Sequence, residues 1–333
     1  MEVERKRQLP PANLTAVQPH PEKTQPLLLP PDADAQVAVR LAIGDTLAHW
    51  QASAAGFLEP GGAPADRIEC LHQLRVTLRR LRVACGPLAR AARWHGEDLK
   101  PVRSGLRNLG QQLGAARDWD VFIEETLPAL SSQLHEPSLS QALKEAAGVL
   151  QRSAHLRAKA ALESGDSQHL LLQLGHCLAS PGGDGRVSFR ALLRRLDRLD
   201  HSLRKALPRL ARLTPSRLHR LRIAAKKMRY ITEFMASRHD PAAIAHWLAW
   251  LRHAQTVLGA HNDRKTAMAH LQVICESAGT GHGKDCRALQ KALRSQPLPK
   301  LQLPPLPHAY WRGKKSRDGN KKPVHRGPAR LAL

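Results

Sequence analysis

Apolar side chains recur along most of the chain at the three- and four-residue spacing of an amphipathic helix, and no segment alternates with the period of a strand. Leu and Ala are frequent, whereas β-branched and aromatic residues are sparse, which favours helices over sheets. We therefore expect an all-α helical bundle. The predicted helices are 35–57, 67–92, 97–115, 119–134, 138–163, 167–179, 187–212, 216–237, 241–259, 263–278 and 283–294.

Two stretches of the helical pattern occur twice in the same order. CLHQLRVTLRRLR at residues 70–82 is matched by RLHRLRIAAKKMR at residues 217–229, about 147 residues later. LGAARDWDVF, which starts at Leu113, is matched by LGAHNDRKTA, which starts at Leu258, at an offset of about 145. Two segments that repeat at nearly the same distance predict an internal duplication, in which each half forms roughly a four-helix unit.

The composition divides the chain into a helical domain and two flanks. The helical domain is predicted at 34–294, with repeat halves of about 34–163 and 167–294. Residues 1–33 hold seven prolines without sustained periodicity and are predicted to be a disordered arm. Residues 295–333 are predicted to be a proline-rich spacer followed by a basic, disordered tail.

The duplicated segment 70–82 carries an apolar stripe and a cationic stripe side by side. At about 100° per residue, its basic positions fall within an arc of about 80° that adjoins the leucines. Arg80 and Lys227 flank the stripes. The stripe positions are His72, Arg75, Arg79 and Arg82 in the first copy, and His219, Arg222, Lys226 and Arg229 in the second.

Like charges on one helix face repel each other, so the cationic stripes indicate an anionic ligand, which guanidinium groups bind in bidentate fashion. Neighbouring cations should keep the two stripe histidines neutral until an anion binds. Glu233 lies on the side of the second stripe and is expected to pair with Arg229. The alternative is a solvated helix face, which must also explain why the pattern occurs in both halves.

The net charge of +24 and the isoelectric point near 10.8 predict a polyanionic partner, such as nucleic acid or an anionic membrane, although a solubility surface is the alternative. Five cysteines without a C-x-x-C motif argue against a disulfide framework or a compact zinc site and suit a reducing cytoplasm. The first residues lack the apolar region of a signal peptide, and no run of 18 apolar residues predicts a membrane span.

The repeated L-G-x-x-x-D element is typical of a turn between antiparallel helices. Gly114 and Gly259 are suited to ending one helix, and Asp118 and Asp263 are suited to capping the next. We therefore predict a helical hairpin turn at each copy. The two aspartates are also candidates for orienting an arginine of the cationic stripes.

The paired motifs resemble the CHAD domain, the conserved histidine α-helical domain. H-x-x-R-V-x-x-R-R-L-R is followed by L-G-x-x-R-D-x-D-V, and H-x-x-R-I-x-x-K-K-x-R-Y-x-x-E is followed by L-G-x-x-N-D, over about residues 34–294. The resemblance implies two four-helix halves around a basic central cavity or groove that binds inorganic polyphosphate. It also implies association with polyphosphate granules. Some members carry a triphosphatase-like domain, for which this chain has no room, so the resemblance does not imply that activity.

Carried onto this sequence, the resemblance assigns two sets of residues. The implied polyphosphate-binding residues are His72, Arg75, Arg79, Arg80, Arg82, His219, Arg222, Lys226, Lys227 and Arg229. The implied supporting residues are Arg117, Asp118, Tyr230, Glu233, Asn262 and Asp263.

Three other functions are open to a chain of this composition. A sequence-independent nucleic-acid-binding protein is the main alternative, mostly through residues 308–333, which hold eight Lys and Arg against one Asp. An enzyme is not expected, because no phosphate-binding loop, H-E-x-x-H motif or Mg²⁺-binding cluster of carboxylates occurs. A metal site of His72 and His219 is disfavoured because the surrounding arginines repel cations. No cofactor is expected, and the sequence leaves the oligomeric state open.

Overall fold

The computed structural model describes residues 27–94, 98–132, 137–180, 187–277 and 283–312, and over these residues it contains helices and no strand. The all-α prediction is therefore confirmed. The longer helices are α1 Ala35–Leu58, α2 Pro64–Val83, α3 Leu99–Val121, α4 Pro137–Glu163, α5 Gly165–Ala179, α6 Arg190–Ala206, α7 Pro215–Met235, α8 Pro241–Ser277 and α9 Gly283–Ser295. A π-helical turn, Phe122–Thr126, and a short helix, Leu127–Ser131, continue α3.

Helix α2 occupies the centre of the bundle and packs against α1, α3 and α7. Its apolar stripe forms part of the core, since Leu71, Leu74 and Leu81 are fully buried. Beyond Val83 the helix continues through a π-helical turn, Ala84–Leu88, and Ala89–Ala91. The π turn contains Pro87, whose nitrogen cannot donate the regular helical hydrogen bond.

The second cationic stripe lies on α7, which packs against α6, α8 and α2. Ala225 and Met228 of its apolar stripe are fully buried. The two basic helices therefore meet in the middle of the molecule, which places their cationic stripes near each other. The apolar stripes of both helices belong to one hydrophobic core, and this burial offsets the repulsion between the two rows of like charge.

The predicted turn at L-G-x-x-x-D is wrong in both copies. Gly114 and Asp118 lie inside α3, and Gly259 and Asp263 lie inside the 37-residue helix α8. Neither glycine adopts a positive φ, so neither ends a helix. Each glycine instead lies against an arginine of a cationic stripe.

The predicted boundaries of the helical domain also need correction. Residues 27–33 contribute Leu27, Leu29 and Ala33 to the core, and residues 301–312 contribute Leu306, Ala309 and Trp311. The C-terminal segment is held by Trp250, which donates from Nε1 to the carbonyl of Pro304 at 3.0 Å. The remaining parts of the predicted arm and tail, 1–26 and 313–333, lie outside the described residues.

Two further expectations differ from the structure. Helix α5 was assigned by the repeat boundaries to the second half, but it packs on α1, α3 and α4 of the first half. The cysteine pattern argued against disulfides, yet Cys275 of α8 and Cys286 of α9 form one. The other three cysteines are buried. None of the described helices is long and apolar enough to cross a membrane.

Candidate anion-binding groove

The cationic stripes of α2 and α7 line two adjoining cavities. The first cavity has a volume of about 620 Å³ and lies between α2, α3, α8 and the residues that follow α9. Its walls mix charges of both signs, since Asp118, Glu125 and Asp263 accompany the arginines. The arginines of the first cavity are Arg75, Arg79, Arg117, Arg222 and Arg264.

The second cavity has a volume of about 430 Å³ and is lined by cations without a single carboxylate among the described residues. Arg79 and Arg222 line both cavities, so the two form one continuous surface, which we call the basic groove. The charged residues of the second cavity are Arg79, Arg82, Arg90, Arg103, Arg107, Arg195, Arg222, Lys226 and Lys227.

Backbone contacts and a carboxylate hold Arg75 in the first cavity. Its Nη1 donates to the carbonyl of Leu113 at 3.3 Å, and its Nη2 lies 3.6 Å from Oδ1 of Asp118. A Cβ atom at Gly114 would lie only 2.8 Å from Nη1 of Arg75. The glycine therefore admits the guanidinium against the helix backbone, which explains why the L-G-x-x-x-D element lies inside a helix.

The second copy repeats this arrangement with looser contacts. Nη2 of Arg222 donates to Oδ1 of Asp263 at 3.4 Å, and a Cβ atom at Gly259 would lie 3.6 Å from Nε of Arg222. The expectation that the two aspartates orient stripe arginines agrees with these contacts. Each arginine keeps part of its guanidinium directed at the groove, because a single carboxylate cannot satisfy all five donors.

Burial and mutual repulsion lower the pKa values of several groove cations. Burial, followed by the charges of Arg79 and Arg222, lowers the pKa of Lys226 to about 7. Burial and Arg79 lower the pKa of Arg75 to about 10. The pKa of Lys227 is also lowered, mainly by burial. The protonated forms of these cations are thus destabilised in the groove, and a bound anion would stabilise them.

The two stripe histidines line different cavities. His72 lies in the first cavity, where burial and the charge of Arg117 lower its pKa below the usual value. His219 is exposed at the edge of the second cavity. No group of three potential metal ligands occurs among the described residues.

Arg80 does not face the groove, although the resemblance assigns it to the binding residues. Only 2% of its surface is exposed, because α1 and α7 cover this side of α2. Its Nη1 donates to Oε2 of Glu233 at 2.7 Å, and its Nη2 lies 3.7 Å from Asp45. Its guanidinium also lies over the ring of Phe234 at 4.7 Å. Arg80 therefore joins α1, α2 and α7 rather than contributing to the groove.

Arg229 is likewise absent from the walls of both cavities. Its Nε lies 3.1 Å from Oε1 of Glu233, as the sequence predicted, and its Nη1 donates to Gln255. Its guanidinium lies 4.9 Å from the ring centroid of Tyr230. Two of the ten implied binding residues, Arg80 and Arg229, thus share the partly buried carboxylate of Glu233.

The other implied supporting residues lie at or beside the groove. Arg117 and Asn262 line the first cavity, and Tyr230 lines the second. Arg117 is partly neutralised by Glu124, whose Oε2 lies 3.3 Å from Nη1. Asp120 is fully buried and accepts a hydrogen bond at 2.7 Å from His155, so it belongs to the core of the first half.

Sequence reasoning missed several groove cations. Arg103 and Arg107 reach the second cavity from α3, and Arg195 reaches it from α6. The four-residue spacing of Arg103 and Arg107 was a signal that both share one helix face. No repeated motif marked Arg90 or Arg195. Arg195 reaches the cavity because α6 packs against α7 and against Ala89–Ala91, which carries Arg90.

Comparisons with known proteins agree with the geometry. The family model described as the CHAD domain matches residues 41–272, well over half of the chain. The crystal structure of the CHAD domain from the plant Ricinus communis is similar to this chain, with a TM-score of 0.66 and 28% sequence identity. That match covers 83% of this chain and 91% of the plant chain. No curated protein sequence matches this chain.

Proposed function

The chain belongs to the CHAD domain family, and from that premise we propose that it binds inorganic polyphosphate in the basic groove without catalysing a reaction. The single observation that carries the proposal is the second cavity, in which the described part of the chain places nine Lys and Arg side chains and no carboxylate. A cavity of one sign of charge attracts a ligand of the opposite sign.

A linear polyphosphate matches the distribution of positive charge along the groove. Its negative charge repeats at every phosphate, and the groove repeats its positive charge through two cavities that share Arg79 and Arg222. Guanidinium groups bind phosphate oxygens in pairs, and many modest contacts along one chain add up through avidity. We extend the proposal to association with polyphosphate granules, which the family resemblance implies.

The groove offers little to a nucleobase. Proteins that bind single-stranded nucleic acids usually present aromatic rings on which bases stack. Tyr230 lines the second cavity, but it is 3% exposed and one face of its ring is covered by Arg229. Phe122 lines the first cavity and is only 1% exposed. This favours a polyanion without bases.

Binding of the full-length protein to long-chain polyphosphate tests the proposal, measured across a salt series. The variant Arg79→Gln with Arg222→Gln removes the two arginines that line both cavities. The matched control, Arg157→Gln with Arg252→Gln, removes two exposed arginines outside the groove. We expect the groove variant to lose at least about tenfold in affinity, since bonds between charged groups contribute about 1.5–3 kcal/mol each. Equal affinities for the two variants would contradict the proposal.

The alternative of nucleic-acid binding rests on the charge of residues 308–333, which hold eight Lys and Arg. Because residues 301–312 pack against the bundle, a truncation that tests the tail should follow Arg312. Loss of duplex DNA and RNA binding with retention of polyphosphate binding would assign nucleic acid to the tail. Stronger binding of nucleic acid than of polyphosphate by the truncated protein would favour nucleic acid as the ligand of the groove.

A further inference from the structure

Lys226 occupies an unusual position in the second cavity. It lies one helical turn after Arg222 on α7, and Arg79 approaches it from α2. The lysine is half-buried, and no carboxylate forms an ion pair with it within the part of the chain that the structure describes. Its amine therefore lines a cavity whose other charged lining residues are cations suited to phosphate, while Asp263 acts on it more weakly than Arg79 and Arg222.

We propose that Lys226 is a site of acylation by small acyl phosphates, which the arginines of the second cavity hold by their phosphate group. The inference rests on the proposed function in one respect, since the same arginines bind both ligands. It goes beyond that function because it assigns a covalent modification and a second class of ligand to the groove.

The reaction needs no further reagent. The unprotonated Nζ attacks the carbonyl carbon of the acyl phosphate, and a C–N bond forms. The bond between that carbon and the phosphate oxygen breaks, inorganic phosphate leaves with the electron pair, and the nitrogen loses one proton to water. The product is an amide on Lys226. The arginines assist by neutralising the leaving phosphate.

The electrostatics of the cavity make the amine available. With a pKa of about 7, about half of the Lys226 side chains carry an unprotonated amine at neutral pH. An exposed lysine with a pKa near 10.4 is unprotonated in fewer than about one molecule in a thousand. The same arginines that attract the phosphate thus keep its target amine reactive.

Acylation would weaken the groove for polyphosphate. It converts one of the nine basic side chains of the second cavity into a neutral amide, which cannot become protonated when polyphosphate binds, and it adds an acyl group inside the volume of about 430 Å³. The proposal therefore links polyphosphate binding to the supply of activated acyl groups, and it predicts lower polyphosphate affinity for the acylated protein.

Exposed lysines of the same chain provide internal references. Lys144 and Lys205 are exposed and lie outside both cavities. Lys227 lines the second cavity next to Lys226, and its pKa is also lowered. If the arginines bind the phosphate of the acyl donor, modification should be fastest at Lys226, slower at Lys227 and slow at the two exposed lysines.

The experiment incubates the full-length protein with acetyl phosphate near neutral pH and follows each lysine by mass spectrometry. A parallel series uses an uncharged donor, the N-hydroxysuccinimide ester of acetic acid, which reports amine reactivity without phosphate recognition. We expect acetyl phosphate to modify Lys226 at least about tenfold faster than Lys205, given the larger fraction of free amine. Inorganic phosphate should slow this reaction more than that of the uncharged donor, because it competes for the arginines in addition to raising the pKa of Lys226.

The variant Arg79→Gln with Arg222→Gln separates phosphate binding by the arginines from the intrinsic reactivity of the Lys226 amine. If the arginines hold the phosphate, the ratio of the rates with the two donors falls at Lys226, whatever happens to its pKa. An unchanged ratio, or modification of Lys226 no faster than that of Lys205, overturns the inference.

The result stays distinct from that of the proposed function. Polyphosphate binding without preferential acetylation of Lys226 overturns this inference alone. Preferential acetylation that phosphate suppresses, in a protein that does not bind polyphosphate, supports this inference and overturns the proposed function.

Discussion

Arg75 of α2 lies against the backbone of α3 at Gly114, so closely that a Cβ atom at this glycine would stand 2.8 Å from Nη1. Glycine normally weakens a helix, but at this position its lack of a side chain makes room for the guanidinium. Arg222 and Gly259 repeat the relationship in the second copy of the motif. The glycines thus set how close the two arginine-bearing helices come to α3 and α8.

The first prediction concerns Gly114→Ala. The added methyl group displaces the guanidinium of Arg75 from the Leu113 carbonyl and from Asp118. We expect polyphosphate affinity to fall severalfold, measured by titration of the full-length protein. Urea unfolding should show no large loss of stability, because alanine favours a helix interior over glycine by about 1 kcal/mol.

Gly110→Ala is the matched control for this substitution. Gly110 lies one helical turn earlier on α3, and a Cβ atom there would meet nothing within 4 Å. The control should gain the same helix propensity and retain full affinity. If both variants bind equally well, the position of Arg75 is not important for the ligand.

The second prediction is that polyphosphate affinity decreases as the pH rises above about 7. A bound polyanion favours the charged form of Lys226 and raises its pKa above the value of about 7 in the empty groove. Between these two values the complex holds more protons than the free protein, so binding takes up protons and weakens with increasing pH. Asp263 raises the pKa of Lys226, but its effect is smaller than the lowering by burial, Arg79 or Arg222.

Affinity measured from pH 6.5 to 9 with long-chain polyphosphate checks this, since the internal phosphates of long chains remain ionised throughout. Lys226→Arg keeps the charge over this range and should flatten the profile. The pKa of Arg75 is about 10, so its titration lies above the window, whereas His72 and Lys227, whose pKa values are also lowered, are the same in both proteins. A slope that persists in Lys226→Arg would assign the effect to another group.

The third prediction separates Arg80 from Arg82, which are neighbours on α2 with opposite environments. Arg80→Ala removes a buried side chain that pairs with Glu233 and Asp45, although Glu233 keeps Arg229, and should reduce the free energy of unfolding by about 1–3 kcal/mol. Arg82 is exposed at the second cavity, so Arg82→Ala should change stability by less than about 0.5 kcal/mol and lower polyphosphate affinity. Urea denaturation and polyphosphate titration of both variants would show the reverse pattern if Arg80 were the ligand-binding residue.

The fourth prediction concerns the C-terminal segment. Trp311 donates from Nε1 to Oδ1 of Asp197 at 2.9 Å and packs edge-on against Trp247. Trp311→Ala should lower the free energy of unfolding by about 3 kcal/mol, as for other buried tryptophans. Leu28→Ala, at a side chain that is 80% exposed, should change it little. Similar unfolding curves for Trp311→Ala and the unchanged protein would show that the segment does not stabilise the bundle.

The sequence by itself determined the helical class, the two basic stripes and the family resemblance. These depend on local periodicity, because the spacing of Leu71, Leu74 and Leu78 decides which face of a helix is apolar whatever it packs against. The spacing of His72, Arg75 and Arg79 likewise predicted three side chains that the structure brings to one cavity.

Only the tertiary structure decided which cations face the groove. A single-helix pattern treats Arg80 as a flank of the stripe, but α1 and α7 cover that flank and supply its carboxylates from more than 30 residues away. The same holds for Arg195, which joins the groove through the packing of α6, and for the L-G-x-x-x-D element. Its glycine is typical of a helix end, yet it accommodates an arginine from another helix. Ion pairs between distant residues and the close approach of an arginine to a glycine of another helix produce no periodic pattern in the sequence. They depend on which helices become neighbours.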